Sequence, residues 1–297
     1  MRPSALGDTL LLAPALHQIA GAVAITLLGR RPGIDFLRPF TQDCLDYEQG
    51  GWHRLFSDQP SYKNIPFPET DKVISFISDP SGTVSRGLES LLKTVPIYSF
   101  PPFPPDQERI HVASYLASCL KMSGLPVNPE KAIEEAGKKP LLGKVRVRRS
   151  RPIIVFHPGS GSKKKNHPPD LWIDLIRNAG FSRGARNVVL LGPAEEGLRQ
   201  FFTKEFSGEK VDIVYALPAS ELLPLLRGTS LYVGHDSGIT HLAAMLGTPT
   251  VALFKSSDPS QWMPLGPEVT VITGNTSYPV IYRKIKEKSR TVRELLP

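Results

Sequence analysis

Residues 231–254, LYVGHDSGITHLAAMLGTPTVALF, constrain the fold more than any other stretch of the chain. Two apolar runs, one ending at Gly234 and one at Phe254, flank a segment of helical length, so the order reads strand, sharp turn, helix, short turn, strand. Runs that are apolar throughout, without alternation, belong in a parallel sheet covered on both faces. The polar residues crowd at one joint: His235, Asp236, Ser237, Gly238, Thr240 and His241. A helix starting there presents main-chain N–H groups at Ser237 and Gly238 that no helical carbonyl can take. The joint is therefore suited to an anion such as a nucleotide diphosphate. The plainer alternative is an ordinary βαβ crossover in which Asp236 only caps the helix.

The same alternation runs through the second half of the chain. Strands are expected over 153–156, 187–191, 211–215, 231–234 and 250–254, interleaved with helical patterns over 170–178, 195–202, 219–227 and 238–246. That order predicts a parallel sheet with right-handed crossovers. The first half reads as a helix over 9–20, a strand over 23–28, an irregular stretch over 30–70, a strand over 72–77 and helices over 85–93 and 110–122. Between those helices, PIYSFPPFPP at 96–105 forbids continuous helix and reads as an extended, aromatic-bearing loop. A chain of 297 residues, 40% hydrophobic, suffices for two cores. The polar, basic run before the strand at 153 places the boundary at 150/151, giving two α/β domains, 1–150 and 151–297. One oddity stands at the start: the turn SALGD and its helix ask for a buried strand in front, yet only Met1, Arg2 and Pro3 precede Ser4. The first strand is either truncated or dispensed with.

A net charge of +8 suits phosphorylated ligands, an anionic membrane surface or nucleic acid without choosing among them. Two cysteines, Cys44 and Cys119, are too few for a disulfide framework or a CxxC metal site and favour a reducing compartment. No run approaches the ~18 apolar residues of a membrane span, and the first residues lack the order of a signal peptide. The expected location is the cytoplasm.

Three further joints carry chemistry-bearing residues. Gly7 and Asp8 sit at the mouth of the first helix, where Gly permits close approach and Asp8 is either a cap or a base. The loop HPGSGSKKKNHP at 157–168 holds Ser160, Gly161 and three lysines. It is not a Walker loop, since no GK[ST] closes the spacing. It is either a solvated lysine run or a basic cradle for a diphosphate, with Lys165 nearest the following helix. In LLGPAEEGL, Glu195 and Glu196 either complement a helix dipole or accept hydrogen bonds from a nucleoside. His235 beside Asp236 suggests a metal phosphohydrolase only if further ligands cluster, and the five histidines other than His235 and His241 do not, so no metal is expected. Ser237, His241 and Asp236 imitate a hydrolase triad, but one helical turn cannot orient all three, and there is no GxSxG elbow.

Taken in order, RPSALGD at 2–8, HPGSG at 157–161 with Lys165 ahead of His167 and Pro168, GPAEE at 192–196, and DSGITHLAAMLGTPTVALF at 236–254 with its trailing DPSQWMPLG resemble glycosyltransferase family 9. This is the family of the ADP-heptose:lipopolysaccharide heptosyltransferases. The resemblance implies a GT-B architecture, two Rossmann-like domains facing across a cleft, the first for the acceptor and the second for the sugar nucleotide. It implies inverting transfer of a heptosyl unit from ADP-heptose to a lipid A–Kdo inner core, at the inner face of the cytoplasmic membrane, without metal, cofactor or nucleic acid. By position, Asp8 resembles the catalytic base, Lys165 the lysine on the donor phosphates and Glu196 the acid on the nucleoside. Asp236, Ser237, Gly238 and His241 resemble the diphosphate and sugar joint, and Ser4, Gly7, Ser160, Gly161 and Lys255 fall on the acceptor and donor loops. Two positions depart from the pattern: His167 stands where a Trp often precedes the proline, and Lys255 where a Gly usually follows the VALF strand. Another sugar nucleotide or acceptor is the alternative reading, as is a paralogue that binds a nucleotide without turnover. The basic stretch RKIKEKSR at 283–290 is either a membrane-facing patch or a solvated helix face.

Overall fold

Among the described residues every strand pairing is parallel. The computed structural model describes residues 1–57, 65–105, 107–143, 151–177, 184–274 and 276–294, the side chains of 290–294 excepted. Contacts divide the chain into two units, Met1–Glu135 and Ala136–Pro297. Residues 144–150, where the sequence reading ends its first domain, lie outside the described residues, as does Asn178.

In the first unit, β1 (Thr26–Gly29) pairs with β2 (Asp43–Asp46), and β3 (Val73–Phe76) pairs with β4 (Ile97–Phe100). Between the two pairs lies the start of the chain: the Arg2 amide donates to Leu28 C=O at 2.8 Å, and the Phe76 amide donates to Met1 C=O at 2.9 Å. The helix expected over 9–20 is two helices, Leu6–Leu10 and Ala13–Ile19. Pro14 has no N–H to give to Leu10, so the first helix cannot continue through it, and the proline instead opens the second. β2 and β4 fall inside stretches read as irregular or as loop.

Arg2 organises this end of the unit. It is fully buried; its Nε donates to Asp8 C=O at 2.9 Å, its Nη1 donates to Pro102 C=O at 2.8 Å, and its guanidinium lies 5.7 and 5.4 Å from the Phe76 and Phe103 ring centroids. Burial pulls its pKa down to about 10, with Asp8 opposing the shift. Arg2→Met strips two carbonyls of their donors, and at ~1 kcal/mol or more each should cost about 2 kcal/mol. A urea midpoint equal to that of the parent chain would show that the guanidinium is dispensable.

The second unit holds one sheet of six strands: β5 (Ile153–His157), β6 (Arg186–Leu191), β7 (Val211–Tyr215), β8 (Leu231–His235), β9 (Thr250–Phe254) and β10 (Val269–Thr273), in the order β10-β9-β8-β5-β6-β7. β5, β8 and β9 are buried at every residue, as their unbroken apolar sequences require. Phe156, Trp172, Phe202 and Ile285 fill the core against the sheet. From β5 the chain winds outward through β6 and β7, then returns to β8 on the other side and winds out through β9 and β10. The order reverses between β5 and β8, where His157 pairs with Gly234. In an open parallel sheet that reversal splays the connecting loops apart and leaves a crevice at the strands' carboxyl ends. The closing helix Tyr278–Glu294 buries Ile281 and Ile285 and leaves Arg283 and Glu287 exposed as an i,i+4 pair, the arrangement of a solvated helix face.

Candidate functional site

The carboxyl ends of β5 and β8 deliver two polar loops to that reversal point. After β8, Ser237 caps the helix Gly238–Met245, its Oγ accepting from the Thr240 amide at 3.3 Å. The cap is therefore Ser237, and the plainer reading of Asp236 as the cap does not hold. Asp236, 4% exposed at its side chain, accepts instead from Lys165 Nζ at 2.6 Å and from Ser257 Oγ at 2.7 Å, both on Oδ2. His241 Nε2 lies 3.9 Å from Oδ1 of the same carboxylate. Lys165 is also 6.0 Å from the Trp262 ring centroid.

The three lysines of the loop thus sort themselves. Lys163 and Lys164 are exposed, whereas Lys165 is drawn in to the buried carboxylate. A half-exposed cation held beside the first helical turn, whose leading N–H groups have no helical acceptor, has the charge and the donors that a phosphate group requires.

Beneath the joint runs a buried hydroxyl–imidazole network. Tyr232 OH lies 3.0 Å from His157 Nδ1 and 3.1 Å from Thr240 Oγ1, and Ser237 Oγ lies 2.9 Å from Thr240 Oγ1 and 3.3 Å from His157 Nδ1. Thr240 also donates to His235 C=O. A Cβ on Gly234 would sit 2.6 Å from Tyr232 OH, so only glycine lets that phenol fold under the turn. Ser237 spends its hydroxyl on the cap and this network, which leaves Ser237, His241 and Asp236 unassembled as a triad.

His235 and His167 stack at 5.3 Å between centroids and 3° between planes, with Trp172 edge-on to His235 at 4.9 Å. The His167 amide donates to His235 Nε2 at 2.8 Å, which requires a neutral His235 ring. Burial, reinforced by His167 and His157, pulls the His235 pKa down to about 3, and burial alone pulls His157 down to about 4. Burial and the nearby Lys255 cation lower His167 as well. The unfolded chain takes up protons at these imidazoles near pH 6.5, while the folded chain resists them. Their stability contribution is therefore complete above about pH 6.5 and is lost as pH falls toward 4. The urea midpoint should drop between pH 7 and pH 4.5, and the drop should shrink in a His157→Gln/His235→Gln variant; an identical pH profile in that variant would discard the assignment.

The GPAEE loop joins the HPGSG loop through Glu195. Its buried carboxylate accepts from the Gly192 amide at 2.9 Å and from the Gly161 amide at 3.3 Å. A Cβ on Gly159 would fall 2.1 Å from Glu195 Cδ, which is why glycine stands there. Glu196, one residue on, is exposed and bonds the Tyr215 hydroxyl, which raises that phenol's pKa. Ser160 bonds the Asn166 side-chain oxygen, and Lys255 Nζ donates to Asn166 C=O at 2.9 Å. A hollow of about 720 Å³ opens here, lined by Asn166, His167, Trp172, Ala194, Glu195 and Lys255.

Within the first unit, Asp8 stands inside the first turn of the helix Leu6–Leu10, whose cap residue is Ala5 with no side-chain bond. Asp8 is half-buried and not the cap, and its own carbonyl is tied down by Arg2. Thr9 Oγ1 donates to Ser4 C=O at 3.4 Å, and Gly7 C=O takes the Leu11 amide at 3.2 Å, so both glycine and serine serve the turn through main-chain atoms. Among the described residues no three His, Cys, Asp or Glu side chains gather as metal ligands. Sequence reading missed Glu195's inward role, Ser257, Trp262 and the Tyr232–His157 network; of these only Glu195 carried a signal, its place three residues after Gly192.

The model of glycosyltransferase family 9 (heptosyltransferase) matches residues 94–290. Lipooligosaccharide heptosyltransferase 2 of Haemophilus influenzae is 28% identical over 127 residues, 41% of this chain and 36% of its own length. Lipopolysaccharide heptosyltransferase 1 of Salmonella typhimurium is 30% identical over 111 residues, 37% of this chain and 34% of its own length. The matched stretches span about a third of the length of these curated relatives. Among solved structures, E. coli heptosyltransferase WaaC with ADP superposes at TM-score 0.68 and 16% identity over 97% of this chain and 100% of that one. The glycosyl transferase family 9 structure from Veillonella parvula superposes at 0.72 and 16% identity over 98% and 94%. Those matches establish a shared GT-B fold.

Proposed function

The chain belongs to glycosyltransferase family 9, and from that premise we propose that it moves a heptosyl unit from ADP-heptose to a lipid A–Kdo type inner core with inversion at the anomeric carbon. The single observation that carries the donor half is the Lys165–Asp236 pair, 2.6 Å apart at the start of the helix Gly238–Met245. Displacement at an anomeric carbon builds negative charge on the departing diphosphate, and a cation with preorganised N–H groups stabilises that charge as it forms. Lys165, the amides at Ser237 and Gly238, and His241 fill this role. The nucleoside takes the hollow beside Asn166 and His167, and Glu196, exposed and next in sequence to the Glu195 that lines it, engages the nucleoside.

Asp8 is the general base. It accepts the proton of the acceptor hydroxyl as that oxygen bonds to the anomeric carbon and the carbon–phosphate oxygen bond breaks, its electron pair leaving on ADP. The acceptor belongs to the Met1–Glu135 unit and the donor to the Ala136–Pro297 unit. Among the described residues no helix is long and apolar enough to cross a membrane. A net charge of +8 suits peripheral attraction to phosphorylated lipid on the inner face of the cytoplasmic membrane.

Calorimetric titration with ADP, UDP and GDP, with and without magnesium, tests the reading. Selective, metal-independent binding of ADP is expected; a preference for UDP would move the donor to another sugar nucleotide, and no binding of any of the three would make the chain a repurposed fold. The departure at Lys255 yields a finer test. Exposed and lining the hollow, its cation should act through screened charge, so Lys255→Gly should weaken ADP binding about threefold or more at low salt. The gap should close as salt rises and the screening length falls below ~10 Å. Equal affinities across the salt series would release Lys255 from the site.

A further inference from the structure

The stretch DPSQWMPLG at 258–266 follows the buried strand β9, and the transfer proposed above gives it no part. Most of its residues build a turn. Asp258 opens the short helix Pro259–Trp262, its Oδ1 accepting from the Ser260 amide at 2.9 Å and from Ser260 Oγ at 2.8 Å. Pro259 takes the first helical position, where no N–H is needed. The Trp262 amide donates to Asp258 C=O at 3.1 Å, and the Met263 amide to Pro259 C=O at 2.9 Å. Pro264 and Leu265 are buried, and a Cβ on Gly266 would overlap Ala244 C=O, so glycine lets the chain close against the helix Gly238–Met245.

What this turn holds in place is the Trp262 ring. It is half-buried, and its centroid lies 6.0 Å from Lys165 Nζ, the ammonium that bonds Asp236 at 2.6 Å. That separation is the outer limit of a cation–π contact, so holding the lysine is not reason enough for a tryptophan. Ser257, between β9 and the short helix, bonds the same Asp236 oxygen at 2.7 Å and ties the turn to the joint. The hollow given to the nucleoside is lined by Asn166 and His167, directly after Lys165, and by neither Lys165 nor Trp262. In a sugar nucleotide the nucleoside, diphosphate and sugar follow one another in that order. A donor with its nucleoside in the hollow and its diphosphate on Lys165 therefore brings its sugar, bonded to the far phosphate, to the surroundings of Lys165, where the Trp262 ring lies.

We propose that Trp262 is the platform for the donor's sugar, an inference that rests on the donor reading above: the pyranose packs one C–H face on the indole. A pyranose gathers C–H hydrogens on a face, each carrying a small positive charge, and an aromatic ring carries negative charge on its own face. The indole offers a wide surface of that kind without a formal charge, so it adds no competitor for the lysine. The sugar hydroxyls project from the edge of the stack and stay available to polar partners. Bare ADP leaves the platform uncovered, whereas a sugar nucleotide covers it.

Titration of the full chain with ADP-heptose and with ADP, beside its Trp262→Phe and Trp262→Leu variants, tests this. Leu keeps an apolar side chain without an aromatic face, and should lose about tenfold in ADP-heptose affinity while ADP affinity stays within about twofold. Phe should recover most of that loss. Tryptophan emission gives a second readout: ADP-heptose should change it beyond what ADP does, and Trp262→Phe, which retains Trp52 and Trp172 in their cores, should lose that increment. Equal weakening of ADP and ADP-heptose in Trp262→Leu would overturn the proposal and make the ring a support for Lys165, with the donor reading intact. Unchanged affinity for both ligands in that variant would overturn it as well. A parent chain that binds neither ligand would bring down the donor reading itself, and the platform with it.

Discussion

Asp8→Asn should bind ADP within about twofold of the parent chain and yet transfer sugar at least 10³-fold more slowly. A base that takes the acceptor proton in the transition state contributes typically 10²–10⁴-fold, and Asn offers no basic atom of comparable strength in the same volume. The substitution is isosteric, and the contact that fixes this turn is the Arg2 bond to Asp8 C=O at 2.9 Å, a main-chain atom that Asn retains. ADP affinity should therefore hold while kcat falls, and Tm should drop only by what the buried Arg2 loses when the Asp8 charge that supports it is removed. In rate terms 10³ is about 4 kcal/mol of transition-state stabilisation, more than a displaced loop or a lost surface charge supplies. Undiminished turnover in a donor–acceptor assay would remove Asp8 from the mechanism. A parallel loss of ADP binding would show that the residue acts on the fold.

The legibility of the chain follows burial. β5, β8 and β9 stand out because each is covered on both faces, and that environment demands unbroken apolar sequence. β2 is hidden because it is an edge strand bounded by Asp43 and Asp46, with only Cys44 buried, so neither period nor composition marks it. β10, also at an edge, carries the β-branched VTVIT yet buries only Ile272, and went unread. The polar joint after β8 was visible because its residues are adjacent in sequence. Its partners were not: Lys165, Asp236 and Ser257 meet only because the strand order reverses between β5 and β8, a property of topology rather than of any local pattern. The Glu195 and Glu196 pair shows the finest limit. Glu195 precedes the helix Glu196–Glu205 and turns inward to two amides, while Glu196 begins it and is exposed. A shift of one residue in the helix start exchanges them.

Lys165→Met should cut kcat/KM by roughly 10²–10³ and, separately, destabilise the chain by about 3 kcal/mol. The two losses have different origins, and a second substitution separates them. Asp236 is 4% exposed at its side chain, so removing Lys165 leaves a buried carboxylate with the Ser257 hydroxyl and His241, 3.9 Å away, near it. That uncompensated charge is the source of the stability loss, and Asp236→Asn in the same chain removes it. The double variant should accordingly recover most of the lost urea midpoint. Its turnover should not recover, because no ammonium remains to meet the charge developing on the departing diphosphate, and an amide at position 236 cannot replace it. If rate returns along with stability, Lys165 is only the counter-ion of Asp236, and the cation for the leaving group must be sought at His241 or Lys255. If neither returns, the pair holds the loop at 157–168 in place, and a double-mutant coupling that persists in the absence of nucleotide would measure that structural role directly.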